Sequence, residues 1–128
     1  MMAPAPEARR KAACVLLVED EILIRVLIAE ELRAEGFSVV EAATADEALS
    51  YFQAGFQVDL VLSDIELPGI LNGLELIRRL RADAPDLLTV LTSGYSPGFH
   101  EADAFLQKPY DVRQAVALVV TLLGQETR

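Results

Sequence analysis

Short apolar runs alternate with helix-like stretches along this sequence. The alternation predicts an α/β fold, a doubly wound five-stranded parallel sheet with helices on both faces. Three observations carry that prediction. The runs have the length and near-continuous hydrophobicity of buried parallel strands. The connections between runs and helical stretches are short. Several runs end on a carboxylate, a hydroxyl or a lysine, at the edge where open α/β sheets hold their chemistry.

The most telling run is Leu60 to Ser63, followed at once by Asp64 and then broken at Pro68-Gly69. It predicts a central strand that delivers Asp64 to the sheet edge. Ahead of it, Cys14–Val18 reads as the first strand and Glu21 to Glu35 as a helix stopped by Gly36. Phe37 to Ala42 gives the second strand. Thr44-Ala45-Asp46-Glu47 has the form of a capping box and opens a helix with Ala48, Leu49 and Phe52 inward, ending at Gly55.

Beyond the central strand, Gly73 to Ala82 predicts a helix with Leu74, Ile77 and Leu80 on one side, closed by Pro85. Leu87 to Thr92 is the fourth strand, Ser93 to Gly98 a loop, and Ala104 to Gln107 a short fifth strand. Asp111 caps a last helix reaching about Leu123, its core side formed by Val112, Ala115, Val116, Val119 and Leu123. The domain spans 14–124, with a mobile leader over 1–13 and a tail over 125–128.

Composition narrows the function. The 128 residues make one domain with a proper core. Apolar residues are 52% and aromatics 6%, which favours an aliphatic core over a ring-rich binding surface. A net charge of −9 argues against nucleic acid as a ligand, because no basic stripe is available to displace counterions. The single cysteine, Cys14, excludes an internal disulfide. No apolar run is long enough for a membrane span, and the basic leader lacks the apolar stretch of a secretory signal. A cytoplasmic protein is expected.

Four strand ends collect polar groups on one edge. The first strand ends in Glu19-Asp20-Glu21, the third in Asp64, the fourth in Thr92-Ser93, and Lys108-Pro109 follows the fifth. Crowded carboxylates repel, so either some are protonated or a cation holds them together. Hard oxygen ligands suit Mg²⁺. The inventory matches an aspartyl phosphate site: Asp64 attacks phosphorus, Lys108 pairs with one phosphoryl oxygen and Thr92 bonds another. A cis Lys108–Pro109 bond is expected, since a bend there would turn Lys108 toward Asp64.

These residues resemble the receiver domain of bacterial two-component response regulators. The matching pieces are Val15-Leu16-Leu17-Val18-Glu19-Asp20-Glu21, Leu60-Val61-Leu62-Ser63-Asp64 with Pro68 and Gly73, Leu91-Thr92-Ser93-Gly94, and Lys108-Pro109-Tyr110. The resemblance implies the flavodoxin-like strand order 2-1-3-4-5. It implies Asp64 as phosphoacceptor, and Asp20 and the backbone carbonyl of Glu66 as Mg²⁺ ligands beside Asp64, with Glu19 in support. It also implies Thr92 as the switch hydroxyl, Lys108 as the phosphate-pairing lysine and Phe105 as the aromatic switch. The implied partner is a histidine kinase or a histidine phosphotransfer protein.

Two stretches depart from the family pattern. The Pro68–Gly73 loop is a residue longer, and the span from Thr92 to Lys108 is shorter by well over a helical turn. A fourth helix is therefore expected to be short or irregular, around Gly98 to Asp103. Gly94, Pro97 and Gly98 discourage regular helix there, which predicts a weakly held segment over Ser93–Asp103 that orders on phosphoryl capture.

The first helix is apolar nearly all round, through Ile22, Leu23, Ile24, Val26, Leu27 and Ile28. A helix on a sheet buries one stripe, so a flank is left either as ordinary surface or as a docking patch for a kinase or phosphotransfer helix. The last helix is also wide in its apolar arc, through Leu118, Val120 and Leu122, so the 93–123 side is expected to meet a protein target or a second copy. Tyr95 and Tyr110 flank the acidic edge, while His100 has no second ligand-type partner nearby in sequence.

The expected function is a phosphoacceptor module, catalysing only its own phosphorylation and slow dephosphorylation. The alternative is an aspartyl phosphatase of the haloacid dehalogenase type. Such enzymes want an aspartate two residues after the nucleophile, where this chain has Glu66, and a cap domain that the length does not accommodate. A flavodoxin-like cofactor binder is disfavoured by the acidic first strand–helix loop, where a phosphate cradle needs glycine and backbone amides.

Overall fold

The structure, a computed structural model, describes residues 12–98 and 100–126. Five strands, β1 (Cys14–Val18), β2 (Ser38–Ala42), β3 (Leu60–Asp64), β4 (Leu88–Ser93) and β5 (Ala104–Gln107), form one parallel sheet in the order β2-β1-β3-β4-β5. Four helices accompany them: α1 (Ile22–Ala34), α2 (Ala45–Gln53), α3 (Gly73–Asp83) and α4 (Val112–Glu126). Of the expected leader, residues 1–11 lie outside the described residues, and the Ala13 carbonyl accepts a hydrogen bond from Ser38 N–H at 2.9 Å.

Alternation along the strands sends side chains to two cores. Leu16, Val18, Val61 and Leu91 pack against Ala45 and Ala48 of α2 and Leu76, Ile77 and Leu80 of α3. Val15, Leu17, Leu60, Leu62 and Val90 pack against Ile28, Ala29 and Leu32 of α1 and Val116, Val119 and Leu123 of α4. The middle strands are therefore apolar on both faces, and β3 is buried at every position.

Helix ends follow local chemistry. Thr44 caps α2 by accepting from Glu47 N–H at 3.0 Å. Asn72 and Glu75 close a reciprocal capping box on α3. Gly36, at φ +99°, supplies the left-handed residue that ends α1. Gly73 serves a different need. A Cβ there would fall on the Asp64 carbonyl and lie 2.9 Å from Ile65 Cα, so only glycine lets α3 start this close to β3.

Several boundaries move from the sequence expectation. Ser93, expected as loop, is the last residue of β4, because its carbonyl accepts Lys108 N–H at 2.8 Å and extends the ladder. On α3, Leu76 is fully buried while Leu74 is half-buried, which turns the core stripe from the expected Leu74–Ile77–Leu80 line. Helix α4 continues past Leu123 to Glu126.

Between β4 and β5 none of the described residues is helical, so the expected short or irregular fourth helix is irregular. The segment is not uniformly loose. Asp103 accepts from Thr89 N–H at 2.8 Å and Thr89 Oγ1 at 3.2 Å, and pairs with Arg81 of α3. Arg81 also donates to the Leu87 carbonyl at 3.0 Å. This knot fixes the end of the crossover that enters β5. The other end, Gly94 to Ser96, is exposed.

Candidate functional site

Parallel register sets the site. Asp64 at the end of β3 pairs with Thr92 on β4, and the backbone continues the match through Ile65 N–H to the Thr92 carbonyl at 2.8 Å. On the other side, Val18 of β1 pairs with Ser63, which sets Glu19 and Asp20 immediately beyond the neighbouring strand. Glu19 is held there by its own N–H on the Ala42 carbonyl at 3.0 Å. The strand ends thus gather residues far apart in sequence at one edge.

One carboxylate oxygen each from Glu19, Asp20 and Asp64 lies within 4.8 Å of the others. Glu19 and Asp64 are buried and Asp20 is exposed. Lys108 Nζ reaches in from the end of β5, 2.7 Å from Asp64 Oδ2 and 3.8 Å from Glu19 Oε1. The Lys108–Pro109 peptide is cis, as expected. Asp64 Oδ1 is buried without a hydrogen-bond partner among the described residues. A buried carboxylate oxygen left bare is costly, so the site can take up a hydrogen-bond donor, a cation or an electrophile at this atom.

The electrostatics carry the mark of crowding. Burial is the main force pushing the Glu19 carboxyl up to about 7, helped by Asp64 and Asp20 and opposed by the Glu21 N–H and by Lys108. Burial likewise raises Asp64, with Lys108 opposing and Glu66 adding to the rise. Burial lowers Lys108, but its hydrogen bond to Asp64 and the fields of Glu19 and Asp64 outweigh that and raise it. Partial burial, with the charges of Glu19 and Asp64, pushes the half-buried Tyr110 phenol up to about 12.

Thr92 is 2% exposed, level with Asp64. Phe105 is half-buried in the α2–α3 core, its ring 6.0 Å from that of His100. His100 accepts from Ala102 N–H at 3.2 Å and so belongs to the crossover, away from the acidic edge. One contact was not foreseen from sequence. The Glu66 carboxylate is held by Ser93 Oγ at 3.0 and 2.9 Å, tying the turn after β3 to the end of β4. No sequence spacing joins these two residues; only the register of β3 with β4 does.

The response-regulator receiver-domain family model matches residues 15–120. The sensor kinase CckA of Brucella abortus (strain 2308) is 37% identical over 123 residues, covering 90% of this chain and 13% of that protein. Among solved structures, a CheY-like receiver domain protein from Methanospirillum hungatei JF-1 superposes with TM-score 0.83 at 27% identity, covering 91% of this chain and 97% of that one. The response regulator TrrA from Thermotoga maritima, in complex with Mg(2+)-BeF, gives TM-score 0.75 at 34% identity, covering 86% and 98%.

Fold, edge chemistry and these likenesses converge on one class: the chain belongs to the response-regulator receiver-domain family of two-component signalling. A haloacid-dehalogenase-type phosphatase finds no support among them. The chain spans about half or less of the length of the curated relatives first matched. No helix among the described residues is long and apolar enough to cross a membrane.

Proposed function

We propose that this receiver accepts a phosphoryl group on Asp64, in a histidine-to-aspartate relay. A carboxylate oxygen of Asp64 forms the new bond to phosphorus as the bond from phosphorus to the donor nitrogen breaks. Lys108, already on Asp64 Oδ2, shifts to a phosphoryl oxygen, and the Thr92 hydroxyl donates to another. The single observation that supports this reading best is the asymmetry of Asp64, with one oxygen on Lys108 and the other buried and bare.

The donor set also fits Mg²⁺: hard carboxylate oxygens of Asp20 and Asp64, the Glu66 backbone carbonyl, and Glu19 in support. When bound, the ion neutralises the charge on the phosphoryl oxygens. The likeness to TrrA, solved with Mg(2+)-BeF, agrees with that assignment.

The partner is a histidine kinase or histidine phosphotransfer protein in the cytoplasm. Ile22, Leu23 and Leu27 of α1 are 62%, 76% and 53% exposed. Of these, Leu27 lines a groove of about 430 Å³ together with Ile24, Lys108, Pro109, Tyr110 and Val112. An apolar helix face seated there would bring its histidine to the acidic edge. Output leaves through the 93–123 side, toward a protein target or a second copy, as Thr92 draws the exposed start of the crossover into order more than it rotates Phe105.

Turnover separates this reading from an enzyme. A small phosphodonor should label the protein nearly one to one and be lost slowly. Sustained hydrolysis of phosphomonoesters would overturn it. Leu23→Asp with Leu27→Asp should block transfer from a protein donor and leave loading by a small donor intact.

A further inference from the structure

The Glu66 side chain and the Ser93 hydroxyl take no part in the transfer chemistry above, yet they are joined to each other beside the ends of β3 and β4. Glu66 lies two residues beyond Asp64, and its charge already bears on that carboxyl. Ser93 is 1% exposed and fixed in the sheet by its register with Gln107 and by Lys108 N–H on its carbonyl. Its Oγ accepts Tyr95 N–H at 3.2 Å, which leaves the hydroxyl hydrogen for the Glu66 carboxylate oxygens at 3.0 and 2.9 Å. A rigid strand end therefore holds a negative charge that an exposed glutamate would otherwise sweep through many rotamers.

We propose that Ser93 is a positioning residue for phosphoryl transfer: its hydroxyl holds the Glu66 carboxylate on the β4 side of the acceptor, out of the path of the incoming phosphodonor. Released, that carboxylate would sample the approach to Asp64 and repel a dianion there. The inference rests on Asp64 being the phosphoacceptor and concerns the rate at which it is loaded.

The test is the time course of mass gain with acetyl phosphate at saturating Mg²⁺. Ser93→Ala should slow loading about fivefold at low salt. The loss should shrink as ionic strength rises, because screening weakens the repulsion. It should vanish in a Glu66→Gln background, and Ser93→Thr should load like the parent. A structural role alone would not be cancelled by removing the Glu66 charge. Loading of Ser93→Ala at the parent rate, or a loss that persists in high salt and with Glu66→Gln, would overturn the proposal. Failure of the acceptor reading looks different: mass gain surviving Asp64→Ala removes both.

Discussion

Lys108 Nζ sits 2.7 Å from Asp64 Oδ2, a contact between the end of the edge strand β5 and the end of the central strand β3. It spans the sheet edge and pairs a buried carboxylate, 4% exposed, with a cation. Replacing Lys108 by Ala should slow loading of Asp64 on the order of 100-fold, the scale for losing one preorganised charge donor. Rates from a small phosphodonor would show it, and an unchanged rate would remove Lys108 from the chemistry.

Glu19 predicts a pH dependence in the absence of metal. Its carboxyl titrates at about 7 in the fold against 4.5 for the free side chain, so between those values the folded state holds the extra proton. Stability should therefore fall as pH rises from about 4.5 to about 7, by roughly 1–3 kcal/mol. Asp64, also raised, adds with the same sign. Added Mg²⁺ should flatten the curve. Chemical denaturation across that range measures it, and a rise in metal-free stability toward pH 7 would contradict the crowded-carboxylate picture.

Gly73 predicts a packing cost transmitted to the site. A Cβ there meets the Asp64 carbonyl and Ile65 Cα, both backbone, so α3 has to move. Gly73→Ala should destabilise by roughly 1–3 kcal/mol. Gly94→Ala is the control: nothing lies within 4 Å of its Cβ, so the change should stay within about 0.5 kcal/mol. Equal denaturation midpoints for the two variants would refute this account.

The crossover predicts a divided response to activation. Asp103 is tied to Thr89 and Arg81, whereas Gly94 to Ser96 is exposed. Amide exchange should slow over residues 94–98 when a phosphoryl mimic binds, with little change at Asp103. Asp103→Ala should loosen the whole crossover, at about 1–2 kcal/mol of stability. Equal protection of residues 94–98 in both states would defeat the ordering mechanism.

Most of the framework was legible because strand ends and caps are local. Leu60–Ser63 closed by Asp64, the Thr44 cap and Gly36 each announce themselves within a few residues. The Glu47 carboxylate of the expected capping box takes the Ala43 N–H in place of that of Thr44. The acidic trio, Thr92 and Lys108 followed once the strands were taken as parallel, since parallel order alone puts their ends on one edge. What stayed hidden depends on register and side-chain reach. The Ser93–Glu66 bond and the Arg81–Asp103–Thr89 knot join residues whose spacing carries no signal. The need for glycine at residue 73 arises from where α3 meets β3, which no local pattern encodes.

The central claim is that Asp64 takes the phosphoryl group and that a divalent cation is required. Intact-mass measurement after incubation with a small phosphodonor, followed by peptide mapping, tests it most directly. The account predicts a gain of one phosphoryl group located on Asp64, absent in Asp64→Ala and absent with a chelator. Labelling that persists in either case, or that maps to another residue, would contradict it.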